Sequence, residues 1–395
     1  MRVLFLSQLL PLPLDAGPKI RAYYVLRYLA EAGHEVTLLS FLRPSDTEQE
    51  ICQLRRFCAS VETVPLARSR TRDLRYGIQS CFSSTPFLVL RDQQPLMERR
   101  LEEIAELRSW DAFHVDQLWM APYVVKSNRP ALTVLDQHNA VFTIPRQMAK
   151  HSKNPLVRTL LRNESCKLEM YERRTCDDFD NVVWVSDEDR KALRTSQGAS
   201  RSRDMVIPIA TDPSARLRVK RTQPFRITFL GGMHWPPNSD GVTWFAEKVW
   251  PTVARTIPSA VFTVIGKAPP AKLRSSVLGS RIETTGYVSQ LQGYLAETSV
   301  FVVPLHSGAG MRVKVLDAWC WGLPVVSTSV GAEGLRAVHR ENLLIADAPE
   351  SFAASVISVF QSSQIANRLS DGGRATVEAV YDWRSSYKTW DRLYH

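Results

Sequence analysis

The chain opens on a short unbroken apolar run, Val3-Leu-Phe-Leu-Ser7, the pattern of a strand buried on both faces. A proline-containing loop, Gln8 to Gly17, follows. Pro18 to Ala32 then carries Ile20, Tyr23, Leu26 and Ala30 at helical spacing, with Pro18 suited to a first turn. Gly33 stops that helix, and Glu35 to Phe41 predicts the next strand. The three elements form a βαβ unit whose first loop should face a ligand crevice. Strand-like runs recur at Ala112–Val115, Leu132–Leu135 and Val182–Val185, and Leu156 to Arg174 reads as a long helix of mixed charge. Alternating strands and helices predict a parallel α/β sheet.

Arg201 to Arg226 breaks the rhythm. It holds seven arginines and lysines against Asp204 and Asp212, with weak periodicity, and reads as a connection between domains. A second series begins at Ile227-Thr-Phe-Leu-Gly-Gly and continues through Ala260–Gly266, Val300–Pro304 and Pro324–Thr328. Helices are expected at Asp240–Thr256, Lys314–Gly322 and Pro349–Gln361. The chain therefore predicts two Rossmann-like halves, 1–205 and 206–376. A tail, 377–395, has Trp383, Tyr387, Trp390 and Tyr394 spaced to give a helix an aromatic face, and is expected to return to the first half.

Composition narrows this little. A chain of 395 residues that is 44% hydrophobic and 23% charged is globular and too long for one ordinary core. No apolar stretch is long enough to span a bilayer, and Gln8, Pro11 and Pro13 interrupt the start too early for a signal peptide. The six cysteines, Cys52, Cys58, Cys81, Cys166, Cys176 and Cys320, include no C-x-x-C pair and read as reduced thiols of a cytoplasmic protein. The net charge of +10 raises the question of an anionic partner, whether nucleic acid, an acidic membrane surface or a phosphorylated substrate, and charge alone does not choose among them. Residues 201–395 hold 22 basic against 15 acidic residues, so most of the excess lies in the second half. No helix combines a basic face with interleaved aromatics, which argues against nucleic acid.

The richest chemistry lies in His306-Ser-Gly-Ala-Gly-Met-Arg-Val-Lys-Val-Leu-Asp-Ala-Trp-Cys-Trp-Gly-Leu-Pro. It leaves a strand and opens a helix. Gly308 and Gly310 let a ligand approach bare backbone N–H groups, and the helix N-terminus favours phosphate. Arg312 and Lys314 sit in the first turn, where cations oppose the helix dipole, so a bound polyanion explains them better than helix stability does.

This segment, with Gly322-Leu-Pro-Val-Val-Ser-Thr and Gly331-Ala-Glu-Gly-Leu, resembles the donor-binding signature of family-4 glycosyltransferases, in the branch with a Gly-rich Arg-x-Lys loop. Phe229-Leu-Gly-Gly-Met-His-Trp-Pro-Pro-Asn, Gly286-Tyr-Val and Phe301-Val-Val-Pro-Leu agree in order. So do the N-terminal loop with Asp15-Ala-Gly17, Ser186–Asp189 and Val206-Ile-Pro. The resemblance implies an α/β protein of the GT-B fold: two Rossmann-like domains facing across a cleft, with a C-terminal helix crossing back to the first.

The resemblance also implies roles. Gly231, Gly232, Val288, Gly308, Ala309, Gly310, Met311, Asp317 and Glu333 would bind the donor, with Asp317 on the ribose hydroxyls. Arg312 and Lys314 would hold the diphosphate and neutralise the leaving group. His138, in Leu135-Asp-Gln-His-Asn139, would hold the transferred sugar, while Gly17 and Lys19 would lie on the acceptor side. His114 and Asp116 end the preceding strand at a similar height and can line the same region. Trp319 and Trp321 read as helix packing. The family's first acid is replaced by Ala309, the loop after the first strand of the second half lacks its basic pair, and Ile207-Pro-Ile-Ala-Thr-Asp212 lacks the usual Asn-Gly turn.

The activity expected is a retaining, metal-independent, hexosyltransferase-like transfer from a nucleotide-diphosphate sugar to an acceptor hydroxyl, of the kind used in polysaccharide biosynthesis. No cofactor is expected beyond the sugar nucleotide as co-substrate, and no metal. The acceptor would be a glycan, a lipid-linked sugar or a small natural product, in the cytoplasm or at the inner membrane surface. Competing readings are a non-catalytic sugar-nucleotide or glycan-binding protein and a sugar-nucleotide epimerase on the same fold.

Overall fold

A computed structural model describes residues 1–66, 69–125, 130, 132–152, 154–194, 203–219, 225–274, 281–288, 290–308 and 310–394. Ala309 and three of the basic residues of the connection (Arg201, Lys220 and Arg221) lie outside them. The chain forms two compact units. One comprises Met1–Ala210, Ala309–Met311 and Trp383–His395; the other comprises Thr211–Gly308 and Arg312–Asp382. These boundaries fall a few residues beyond the expected 205/206 and 376/377.

The first unit is built on seven strands: β1 (Arg2–Ser7), β2 (Glu35–Leu42), β3 (Ser60–Pro65), β4 (Ala112–Asp116), β5 (Leu132–Gln137), β6 (Asn181–Trp184) and β7 (Arg203–Val206). All neighbours are parallel, in the order β3-β2-β1-β4-β5-β6-β7. The central strands are apolar and buried because helices cover both faces. β7 lies inside the segment expected to be a linker. As an edge strand it is only half covered, so Arg203 and Asp204 are tolerated and the apolar signal is lost.

Register does the important work. Ser7 pairs with Asp116, and Asp116 with Asp136, so three polar residues at the carboxyl ends of β1, β4 and β5 stand level. The chain order reverses between β1 and β4, the topological switch at which open α/β sheets bind ligands.

The Gly17–Glu31 helix buries Ile20, Arg21, Ala22, Tyr24, Val25, Leu26 and Leu29. Tyr23 and Ala30 of the expected face are only half-buried. The buried face is wider than one stripe because the C-terminal segment covers a second side. Trp383 stacks on Tyr24 with ring centroids 5.7 Å apart, and Trp383, Tyr387, Trp390 and Tyr394 are all buried. That segment is a short α turn, Trp383–Ser386, and a 3-10 stretch, Tyr387–Arg392.

The second unit repeats the plan with β8 (Arg226–Leu230), β9 (Val261–Ile265), β10 (Ile282–Gly286), β11 (Val300–Val303), β12 (Val325–Ser327) and β13 (Leu344–Ile345). The order is β10-β9-β8-β11-β12-β13, all parallel, with the switch between β8 and β11. The helix expected from Asp240 starts earlier, at Pro236, with proline in its first turn. It runs as Pro236–Trp244, a π turn over Phe245–Val249, and Trp250–Thr256. The π turn falls just before Pro251, which has no N–H to continue the α ladder. The Val313–Cys320 helix follows the glycine loop after β11.

Candidate functional site

In the first unit, the level strand ends bring acid and imidazole together. His138 Nε2 lies 2.8 Å from Asp116 Oδ1 and 3.9 Å from Asp136 Oδ2. Ser7 Oγ donates to Asp116 Oδ2 at 3.0 Å. Asp136 is held by Arg21 through both oxygens, Nε to Oδ2 at 2.9 Å and Nη2 to Oδ1 at 3.0 Å. Burial pushes the Asp136 carboxyl up, but Arg21 and the nearby His114 and His138 rings reverse that and hold it well below the usual carboxylate range. Both His138 ring nitrogens and Asp116 Oδ1 are buried and have no hydrogen-bond partner among the described residues. Gln117, just past Asp116, takes φ 74° and ψ 155°, a backbone region that costs a non-glycine residue about 1–3 kcal/mol. Its N–H donates to the Asp136 carbonyl at 2.9 Å, which helps to hold the strained turn.

Two further carboxylates fix the loop after His138. Asp189 Oδ1 accepts the Ala140 N–H at 2.9 Å. Glu172 accepts the N–H groups of Val141 at 3.0 Å and Phe142 at 3.2 Å, and the Gln137 amide at 2.8 Å. Burial pushes the Glu172 carboxyl up to about 8, despite the backbone donors that favour its charged form. Gly310 and Met311 belong to this unit. Gly310 takes φ +75°, and a Cβ there would stand 3.0 Å from the His138 carbonyl oxygen. Met311 Sδ accepts the Ile209 N–H at 3.1 Å.

In the second unit, the loops after β8 and β11 meet. A Cβ on Gly231 would stand 2.9 Å from Lys314 Nζ and 2.9 Å from Asn238 Nδ2, so a side chain there would push the ammonium and the amide aside. Lys314 donates to Asn238 Oδ1 at 2.7 Å and lies over the Phe229 ring at 4.3 Å. Asn238 Nδ2 in turn holds the Gly232 carbonyl at 2.9 Å. Burial, and then the neighbouring Arg312, push the Lys314 ammonium down to about 7. Arg312 is buried at the start of the Val313–Cys320 helix, 3.4 Å from Glu333 Oε2. Gly308 takes φ +132°, and a Cβ there would stand 3.2 Å from Arg312 Nη2. Arg312 and Lys314 thus stand together at the switch point of the second sheet, a placement suited to a polyanion.

The other expected residues are placed as follows. Asp317 Oδ1 accepts a hydrogen bond from Arg216, whose guanidinium lies 5.9 Å from the Trp321 ring. Val288 is half-buried just beyond β10, next to Tyr287, whose ring carries Lys267 Nζ at 4.5 Å. Gly17 is the first residue of its helix, and Lys19 is tied locally, to Asp15 at 3.2 Å and to the Leu12 carbonyl at 3.1 Å. Trp319 is fully buried, with its Nε1 donating to the Asn342 carbonyl at 2.9 Å, and is core.

The family comparison decides the class. The model for the domain described as "Glycosyltransferase Family 4" matches residues 17–215, and that for "Glycosyl transferases group 1" matches 224–362. The chain belongs to glycosyltransferase family 4. A relative from Klebsiella pneumoniae, named "Uncharacterized 44.6 kDa protein in cps region", is 21% identical over 98% of both chains. Sucrose-phosphate synthase from Thermosynechococcus elongatus superimposes with a TM-score of 0.74 at 16% identity, over 100% of this chain and 98% of that one. Anabaena Alr3699/HepE in complex with UDP-glucose gives 0.68 at 12% identity, over 99% and 98%. The glycosyltransferase thus has the two parallel-sheet units of the GT-B fold.

Sequence reasoning on this glycosyltransferase missed Arg21, Asp136, Glu172 and Asp189. A faint signal existed for the first: Arg21 interrupts the apolar face of its helix, where a charge needs a buried partner. Asp116, Asp136 and His138 bring three possible metal-ligand atoms within 4.8 Å of one another. Arg21 already occupies both Asp136 oxygens and supplies the positive charge that a cation would bring. Among the described residues, no helix is long and apolar enough to cross a membrane.

Proposed function

We propose that this family-4 glycosyltransferase moves a sugar, with retention of configuration, from a nucleotide-diphosphate sugar to an acceptor hydroxyl, by a hexosyl transfer that uses no metal ion. The supporting observation is the meeting of Gly231, Gly308, Arg312 and Lys314 at the switch point of the second sheet. The diphosphate would lie on the loop backbone, with the Arg312 fork on one phosphate and the Lys314 point charge on another. Both gain most when the sugar–phosphate bond breaks and negative charge collects on the leaving diphosphate. Asp317 would accept the ribose hydroxyls, Val288 would flank the base, and Gly232 and Glu333 would complete the donor site.

His138 would hold a sugar hydroxyl. Its Nε2 lies 2.8 Å from Asp116 Oδ1, and both ring nitrogens are buried without a hydrogen-bond partner among the described residues, so either could meet the ligand. Gly17 and Lys19 would shape the acceptor side, for a glycan, a lipid-linked sugar or a small natural product. The test is donor turnover across a nucleotide-sugar panel, with the anomeric configuration of the product read by NMR. Arg312→Ala and Lys314→Ala should each lower kcat/KM by about 100-fold or more at unchanged melting temperature, in line with the loss of a charge-stabilising donor. Unchanged turnover in both variants would reject the assignment, and an inverted product would reject retention.

A further inference from the structure

Neither ring nitrogen of His138 has a hydrogen-bond partner among the described residues, so beyond the approach to Asp116 the ring is placed by the backbone that carries it. One helix grips that backbone. The Pro155–Asp177 helix buries Ser165, Leu168, Glu172, Thr175 and Cys176 along one face. Ser165 and Glu172 are two turns apart on it and reach the same loop. Glu172 has no exposed surface. It takes the Gln137 amide at 2.8 Å on one side of His138, and the N–H groups of Val141 and Phe142 at 3.0 and 3.2 Å on the other. Ser165 Oγ donates to the Phe142 carbonyl at 2.9 Å.

These N–H groups lead into the Thr143–His151 helix, whose own N-cap, Phe142, supplies no side-chain bond. Capping is ordinarily local: a Ser, Thr, Asp or Asn at that position satisfies the first N–H groups. Here Ala140, Val141 and Phe142 are apolar, and the acceptors are buried carboxyl groups far off in sequence, Asp189 for Ala140 and Glu172 for the next two. A buried carboxyl group is a more costly cap than an exposed local one. What it adds is a tie between the His138 loop and a second helix, made on both sides of the imidazole.

We propose that Glu172 is a positioning residue for glycosyl transfer, fixing through Gln137, Val141 and Phe142 where the His138 ring meets the sugar. It acts on the geometry of the loop and not on the sugar itself. Misplacing a group at the reacting centre by about 1 Å costs about 100-fold in rate. The proposal rests on the glycosyl-transfer reading, in which His138 holds a sugar hydroxyl.

The test is a double-mutant cycle on donor turnover, read beside the NMR signals of isotope-labelled histidine in the full-length protein. Glu172→Ala should lower kcat about 30- to 100-fold and move donor KM less than about threefold, because the diphosphate and ribose contacts belong to other residues. Glu172→Gln should recover most of the loss, since its amide oxygen keeps the Gln137 and Val141 bonds. On a His138→Ala background, Glu172→Ala should add almost nothing. The His138 signal, assigned by its absence in His138→Ala, should shift in Glu172→Ala and return toward its native position in Glu172→Gln. Where Glu172→Ala gives no cooperative melt, Ser165→Ala, which removes one bond and little volume, should lower kcat about fivefold with the same dependence on His138. A native kcat in the variant that folds, an undiminished effect without His138, or an unmoved His138 signal would overturn the proposal. If the native protein transfers sugar from no nucleotide sugar, the glycosyl-transfer reading fails, and the His138 signal still decides whether Glu172 positions the ring.

Discussion

Arg21 grips both carboxylate oxygens of Asp136, at 2.9 and 3.0 Å, and neither side chain is exposed to solvent. The guanidinium is itself caged: it donates to the Pro208 carbonyl at 2.7 Å and lies 5.0 Å from the Trp390 ring. Trp390 comes from the C-terminal segment, and Asp136 stands beside His138. The tail of the chain therefore helps to position the site of the first unit.

A buried pair of this kind adds little by itself, but removing one partner strands the other charge. Arg21→Met should lower stability by about 3–5 kcal/mol, and Asp136→Leu by a similar amount. The double variant should lose clearly less than the sum of the two. Urea unfolding of the three variants checks this. Additive losses would mean that the two side chains act independently.

Lys314 gives a pH signature. Its ammonium is pushed down to about 7 by burial and by Arg312, so at pH 8 most of the unliganded protein carries it neutral. A diphosphate would restore the charged form, so donor binding at pH 8 should take up close to one proton and affinity should fall as pH rises above 7. Calorimetry in buffers of different ionisation enthalpy measures the uptake, which Lys314→Gln should remove. Uptake unchanged by that substitution would place the proton elsewhere.

The large features were legible in the sequence because periodicity and register follow from local pattern. Both βαβ series, the glycine loop and the buried aromatic tail could be read from Val3 to Ser7, from Gly308 to Lys314, and from Trp383 to Tyr394. β7 was hidden because an edge strand tolerates Arg203 and Asp204. The network around His138 was hidden for another reason. Arg21, Asp136, Glu172 and Asp189 are far apart along the chain, and only strand register and helix packing bring them together. Asp136 has no ion partner near it in the sequence, and Arg21, although it interrupts the apolar face of its helix, gives no sign of which carboxylate it meets.

Glu172 predicts an unusual slope of stability with pH. Its carboxyl is pushed up to about 8 in the folded protein by burial, against 4.5 as the ordinary value. Between those values the folded state keeps a proton that the unfolded chain releases, so this group's contribution to stability falls as pH rises from about 4.5 to 8. Glu172→Gln should flatten that part of the melting-temperature profile while keeping an acceptor for the Val141 N–H. An identical pH profile in the variant would show that Glu172 ionises normally.

Asp317 and Arg216 give a prediction that separates binding from chemistry. The connection residue Arg216 holds Asp317 Oδ1, fixing a carboxylate on the helix that follows the glycine loop. If Asp317 accepts the donor ribose hydroxyls, its contact is remote from the bond being broken and equally strong before and during transfer. Asp317→Ala should then raise donor KM by about 10- to 100-fold, the range of a hydrogen bond to a charged group, and leave kcat nearly unchanged. Arg216→Ala should raise KM less, because the carboxylate survives but is no longer aimed. A 2′-deoxyribose donor provides the control. The native enzyme should bind it more weakly than the ribose donor, and Asp317→Ala should treat the two alike. Equal discrimination by the native enzyme and the variant would remove Asp317 from the ribose contact.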